Sequence, residues 1–265
     1  MKRITLGSLD YGLSFAVDRT LRDLLENGRL SAVCCVVAGD LWAREFKPLQ
    51  ETVLQMRHKA LVGVTLALSG DRVRPLSPAM RDVYGEEMPG PGTWERRAML
   101  RLLPEELISA EVSAQLAQFA QRFGKGPDLI AVRHGLLARL GIAGIVMQEV
   151  EKAGFESTPM LVAPVEPGMQ ASRLERLAKT RGFKCLRKGP PLPTTDQPEE
   201  LHRLLKNHFD GLPDMTFVAS IPGKADDRLR REEPRDKIAI RECQREVLSS
   251  GRFFRTLDEK DVFLH

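Results

Sequence analysis

Two nearly unbroken apolar runs, Ala32–Ala38 and Leu61–Leu68, constrain this chain more than any other feature. Both are short, and the first is largely valine and cysteine. A segment without polar alternation is what a strand buried on both faces requires, and such strands belong to parallel sheets covered by helices. The flanking sequence supplies those helices. Ile4–Ser8 reads as a first strand, followed by a turn at Asp10-Tyr11-Gly12. A helical pattern then carries Phe15, Val17, Leu21, Leu24 and Leu25 to Glu26, where Asn27-Gly28 gives a stop signal. Phe46–His58 reads as the next helix. Strand and helix alternate as in βαβ units.

Residues 69–103 break this rhythm. Pro75, Pro78, Pro89, Gly90, Pro91 and Gly92 predict a long irregular excursion over one end of the sheet. Pro104-Glu105-Glu106 then opens a helix that continues to about Phe123, with proline and acids suited to a helix start. Further strands are predicted at Leu129–Arg133, Pro159–Ala163, Phe183–Leu186 and Met215–Ile221. Helices are predicted at Gly144–Lys152, Ser172–Thr180, Glu199–Phe209 and Lys237–Leu248. About seven strands alternating with helices predict a distorted or incomplete (β/α) barrel, a single domain over residues 1–265, in preference to an open doubly wound sheet.

Composition narrows the function classes. The 265 residues are 42% hydrophobic and 29% charged, with a net charge of +4 spread along the chain. Mixed signs between Lys224 and Arg245 (Asp226, Asp227, Arg228, Arg230, Arg231, Glu232, Glu233, Arg235) predict a solvated loop and helix face. With two tyrosines and two tryptophans there is little for base stacking, so no nucleic-acid partner is expected. No apolar run approaches membrane-spanning length and no leader pattern opens the sequence, so no membrane span and a cytoplasmic location are expected. Cys34, Cys35, Cys185 and Cys243 form no C-x-x-C pair, and the first two read as buried, inert thiols.

Several segments carry a resemblance, in order along the chain. Ile4-Thr5-Leu6-Gly7-Ser8-Leu9-Asp10-Tyr11-Gly12-Leu13-Ser14, Gly28-Arg29-Leu30-Ser31-Ala32 and Val62-Gly63-Val64-Thr65-Leu66-Ala67-Leu68 come first. Arg74-Pro75-Leu76-Ser77 follows, then Phe123-Gly124-Lys125-Gly126-Pro127-Asp128-Leu129-Ile130. Leu212-Pro213-Asp214 through Ile221-Pro222-Gly223 and Arg241-Glu242-Cys243-Gln244-Arg245-Glu246 come last. Together they resemble the YdjC-like carbohydrate deacetylases, which include the ChbG and HpnK types. The resemblance implies a distorted (β/α) barrel that removes N-acetyl groups from amino sugars, with a divalent metal activating water.

That chemistry needs about three metal ligands, a carboxylate base and an acid for the leaving amine. The family's paired aspartates fall here on Leu9 and Asp10, so one matching ligand, Asp10, survives. The ligand histidine of the third strand falls on Thr65. Anchored at Pro127, the His-rich motif falls on Ala131, Arg133, Gly135 and Leu137, with His134 between them. The final ligand falls on Ile221. A register shifted by one would instead make His134 a ligand. Arg133 cannot act as ligand or base, and an ion pair with Asp10 is expected in the metal's place. His202 and His208 lie six apart on one helix, too far round to share a metal, while His58 and His265 read as surface residues.

The expectation is therefore a catalytically inactive member of the family fold, leaning away from enzyme, with no catalytic residue assigned and a residual pocket of Asp10, Thr65, Arg133 and His134. No cofactor is expected. Its partner would be a small saccharide, or other copies in a homo-oligomer or a mixed oligomer with an active homologue. The alternative is a divergent hydrolase or deacetylase acting on N-acetylated amino sugars, through that rebuilt pocket or with a divalent metal (zinc or magnesium).

Overall fold

The computed structural model describes residues 2–264; His265 lies outside them. The first half of the chain contains β1 (Lys2–Tyr11), α1 (Phe15–Glu26), β2 (Ala32–Cys35), α2 (Trp42–Gln55) and β3 (Leu61–Leu66). It continues with α3 (Pro78–Tyr84), α4 (Pro91–Met99), α5 (Glu105–Phe123) and β4 (Leu129–Val132). A 3-10 turn at Arg133–Ala138 leads into α6 (Leu140–Ala153), β5 (Met160–Val162), α7 (Met169–Thr180), β6 (Cys185–Lys188), α8 (Pro198–His208) and β7 (Thr216–Ala219). The chain ends with α9 (Asp227–Glu232), α10 (Arg235–Ser249), α11 (Gly251–Glu259) and β8 (Val262–Leu264).

Every strand pairing is parallel, and strands β2 to β7 follow one another in sequence order. β1 closes the circle. Its Ile4–Gly7 stretch pairs with Thr216–Ala219 of β7, while Gly7, Ser8 and Tyr11 pair with Ala32, Val33 and Cys35 of β2. The result is a closed seven-stranded (β/α) barrel, with β8 added to the start of β1.

Alternation along each strand sorts the side chains into two cores. Ile4, Leu6, Val33, Val62, Val64, Ile130 and Val218 pack outward with the helices. Ala32, Cys34, Leu61, Leu129, Ala131, Val162, Leu186 and Phe217 fill the barrel interior. Two glycines make room there. A Cβ on Gly7 would lie 2.9 Å from the Phe217 ring, and one on Gly63 would lie 2.7 Å from Cys34 Sγ. Burial pushes the Cys34 and Cys35 thiols well up, which keeps them protonated.

Three sequence expectations need correction. β1 does not turn at Asp10-Tyr11 but runs through it, with a register shift between Ser8 and Tyr11. There Tyr11 is fully buried and its hydroxyl donates to the Glu45 carbonyl of α2 at 2.8 Å, a long-range tie that turn propensity does not reveal. The 69–103 excursion is partly helical. Ser77 caps α3 with Pro78 at its first turn, and Pro91 opens α4. Finally, α11 and β8 follow the last predicted helix. Among the described residues no helix is long and apolar enough to cross a membrane.

Candidate functional site

The C-terminal ends of the strands surround a cleft of about 340 Å³. Leu9 and Asp10 come from β1, Thr65 from β3, Arg133 and His134 from the turn after β4, and Lys188 from β6, with Phe217 of β7 at the base. The four residues of the expected residual pocket are thus brought together.

Their contacts differ from expectation at one point. Asp10 Oδ2 accepts from Arg241 Nη2 at 2.9 Å, so the expected Asp10–Arg133 ion pair is replaced by Asp10–Arg241. Arg241 reaches in from α10 with its side chain 1% exposed. Its Nε and Nη2 donate to the two Glu233 carboxylate oxygens at 2.7 and 3.0 Å, and its Nη1 donates to the Ile221 carbonyl at 3.1 Å. Glu233, 2% exposed, also accepts from Lys237 Nζ at 2.7 Å. Burial alone would raise the Glu233 pKa, but the hydrogen bonds from Arg241 and Lys237 outweigh it and hold the carboxyl below its usual range. The charge run at 224–245 is consequently not a purely solvated face. Glu233 and Arg241 are buried in it because each supplies the other's counter-charge.

Arg133 follows the last residue of β4 and lines the cleft. Its Nη1 donates to the Asp71 carbonyl at 3.2 Å, and among the described residues no carboxylate stands within ion-pair distance. Burial lowers its pKa, Asp10 and Asp71 act in the opposite sense, and Arg72 lowers it further. A guanidinium nevertheless stays charged at neutral pH.

His134 does not turn into the barrel. It adopts φ 55° and Gly135 φ 68°, a left-handed pair that swings the imidazole over the loop after β3. There Nδ1 lies 2.8 Å from Ser69 Oγ, and Gly70 lies so close that a Cβ on it would be 2.4 Å from His134 Cε1. Burial, then the Arg133 charge, lowers the His134 pKa, which favours the neutral ring. Ser69 is fully buried, so the pair is no exposed nucleophile and base. Thr65 is buried and its hydroxyl donates to the Leu9 carbonyl at 3.1 Å. Ile221 is held at both ends of its peptide: its N–H donates to Gln244 Oε1 at 2.8 Å and its carbonyl accepts from Arg241. His202 and His208 both sit on α8, and His58 meets the Leu25 carbonyl at 2.8 Å.

This donor set does not fit a divalent metal. The cleft offers one carboxylate, already paired with an arginine, beside a second arginine that would repel a dication. Among the described residues no group of three His, Cys, Asp or Glu side chains could hold an ion. Sequence reasoning missed Arg241 as the partner of Asp10, Glu233 as the carboxylate behind Arg241, and Lys188 and Phe217 as cleft residues. The first had a cue: arginine at position 241 interrupts the apolar face carrying Ile238, Val247 and Leu248.

A closed parallel barrel with its cleft at the C-terminal strand ends defines the class, a (β/α)-barrel protein whose cleft lies at the end where that fold usually carries its site. The family model described as YdjC-like protein matches residues 3–259, and the chain belongs to the YdjC-like family, of the carbohydrate deacetylase type. The crystal structure of a proposed cellobiose-phosphate cleavage protein from Enterococcus faecalis V583 shares the fold. It has a TM-score of 0.78 at 15% identity, over 100% of this chain and 97% of that one. No curated protein matches the sequence.

Proposed function

We propose that this chain is a non-hydrolytic member of its family that binds a small saccharide in the barrel-mouth cleft without a metal. The observation that carries the reading is the Asp10–Arg241 ion pair, 2.9 Å long and backed by Glu233. A hydrolytic base must be free to take a proton from water. Asp10 is instead paired with a buried guanidinium, and among the described residues no second carboxylate lines the cleft to serve in its place.

Binding is supported by the shape and chemistry of the same cleft. Its volume falls in the range of small-ligand pockets, and it combines an apolar base at Phe217 with polar groups at its rim. A sugar ring, apolar on one face and hydroxylated around its edge, suits that division. The structural neighbour assigned to a phosphorylated disaccharide points the same way.

The test combines metal analysis of the purified protein, acetate release from diacetylchitobiose, and calorimetric titration with chitobiose and cellobiose. Expected are metal well below one equivalent, no acetate, and saturable sugar binding. Stoichiometric zinc or sustained acetate release would sink the reading in favour of a divergent hydrolase using Asp10, Thr65, Arg133 and His134.

A further inference from the structure

We infer that the cleft is an oxyanion site, in which Arg133 anchors the carboxylate or phosphate group of an anionic saccharide. The inference rests on the saccharide-binding reading and names the class of sugar.

Its starting point is the charge inventory of the cleft. The charged side chains lining it are Asp10, Arg133 and Lys188. Asp10 is neutralised from behind by Arg241. Lys188 reaches Glu166 at 3.2 Å, an exposed contact in which Glu166 keeps 61% of its side-chain surface open to water, so the ammonium is readily shared. Arg133 has no carboxylate partner among the described residues and spends one N–H on the Asp71 carbonyl. Asp71 and Arg72, on the loop beside it, act on it with opposite signs. The cleft therefore holds a permanent cation with most of its donors unused.

A partly buried guanidinium is costly to leave without a counter-charge. Its planar fork matches the paired oxygens of a carboxylate or phosphate, and such charge-assisted bonds are stronger than those to neutral hydroxyls. The cleft has room for a sugar ring beside Arg133, with Lys188, two strands along on β6, as a second cation in its lining. His134 is turned over Gly70, with its Nδ1 2.8 Å from Ser69 Oγ. A fixed cation thus stands near the place where the family chemistry would require a metal ion.

Calorimetric titration with cellobiose, cellobiose phosphate, cellobiuronic acid and inorganic phosphate, on the wild type and on Arg133→Gln and Arg133→Lys, tests this. The expected result is that at least one anionic sugar binds about tenfold or more tighter than cellobiose, consistent with a charged hydrogen bond. Arg133→Gln should abolish that preference, Arg133→Lys should retain part of it, and added salt should weaken it. Which anion binds tighter separates phosphate from carboxylate. Equal affinity for neutral and anionic sugars would overturn the inference and leave the saccharide reading intact. Arg133-dependent binding of inorganic phosphate, with no sugar bound, would support the oxyanion site and sink the saccharide reading. No binding by any probe would overturn both. Should Arg133→Gln fail to fold, the wild-type preference and its loss in salt decide the matter alone.

Discussion

Arg241 joins three parts of the chain through one side chain: Asp10 at the end of β1, the Ile221 carbonyl after β7, and Glu233 before α10. Removing it leaves Glu233 as a buried carboxylate supported only by Lys237 at 2.7 Å and, more distantly, Arg72 at 3.9 Å. Arg241→Met is therefore expected to cost about 3 kcal/mol or more at pH 7 in urea unfolding. Asp10→Asn should cost about 1 kcal/mol or less, because a third of the Asp10 side chain is exposed (34%) and Arg241 keeps its other partners. The pH dependence has a definite sign. The Glu233 pKa is held low in the folded state, so its stabilisation is present above the unfolded carboxylate value of about 4 and is lost as pH falls further. The gap between wild type and Arg241→Met should accordingly narrow near pH 3.5, and an equal gap at both pH values would refute the assignment. The ion-pairing of Asp10 was legible in the sequence, but its partner was not. Arg133 is nearer along the aligned motif, whereas Arg241, on α10, meets Asp10 only once the barrel has closed and brought the two together.

At the scale of elements, the junction after β4 decides what the mouth contains. Alternation along Leu129–Arg133 correctly places Ala131 inside and lets Arg133 reach the cleft. It could not foresee the left-handed pair His134–Gly135, because strand periodicity ends where the turn begins. That turn lays His134 against Gly70, which itself has φ 99°. Gly70→Ala combines an unfavourable backbone region with a Cβ 2.4 Å from the imidazole. A loss of about 2 kcal/mol is expected, or roughly 4–8 °C in thermal melting. Part of it should return in the Gly70→Ala/His134→Ala double variant, where the ring is gone. Strict additivity of the two changes would show that the contact carries no energy. The helices of the 69–103 segment were legible by a different rule: Ser77-Pro78 is a helix start, but the density of prolines and glycines masked it.

For the whole molecule, the alternation of about seven strands with helices pointed to the (β/α) barrel that is observed, although a doubly wound sheet also buries both faces of its strands. What separates the two is the set of small residues facing one another across the interior. Gly7 lets β1 close on Ala32 of β2 and the ring of Phe217, which is 2% exposed, and Gly63 lets β3 close on Leu129 and Cys34. Phe217 is thus both the plug of the barrel and the base of the cleft. Phe217→Ala should open a cavity that the surrounding strands cannot collapse into, because their pairing fixes their separation. The expected cost is about 3–5 kcal/mol in urea unfolding. Phe217→Leu keeps most of the volume and should cost about 1–2 kcal/mol. In an open sheet the same position would lie under a helix free to shift toward the vacancy, and the two variants would differ little. A difference between them below about 0.5 kcal/mol would mean that Phe217 does not hold the barrel closed.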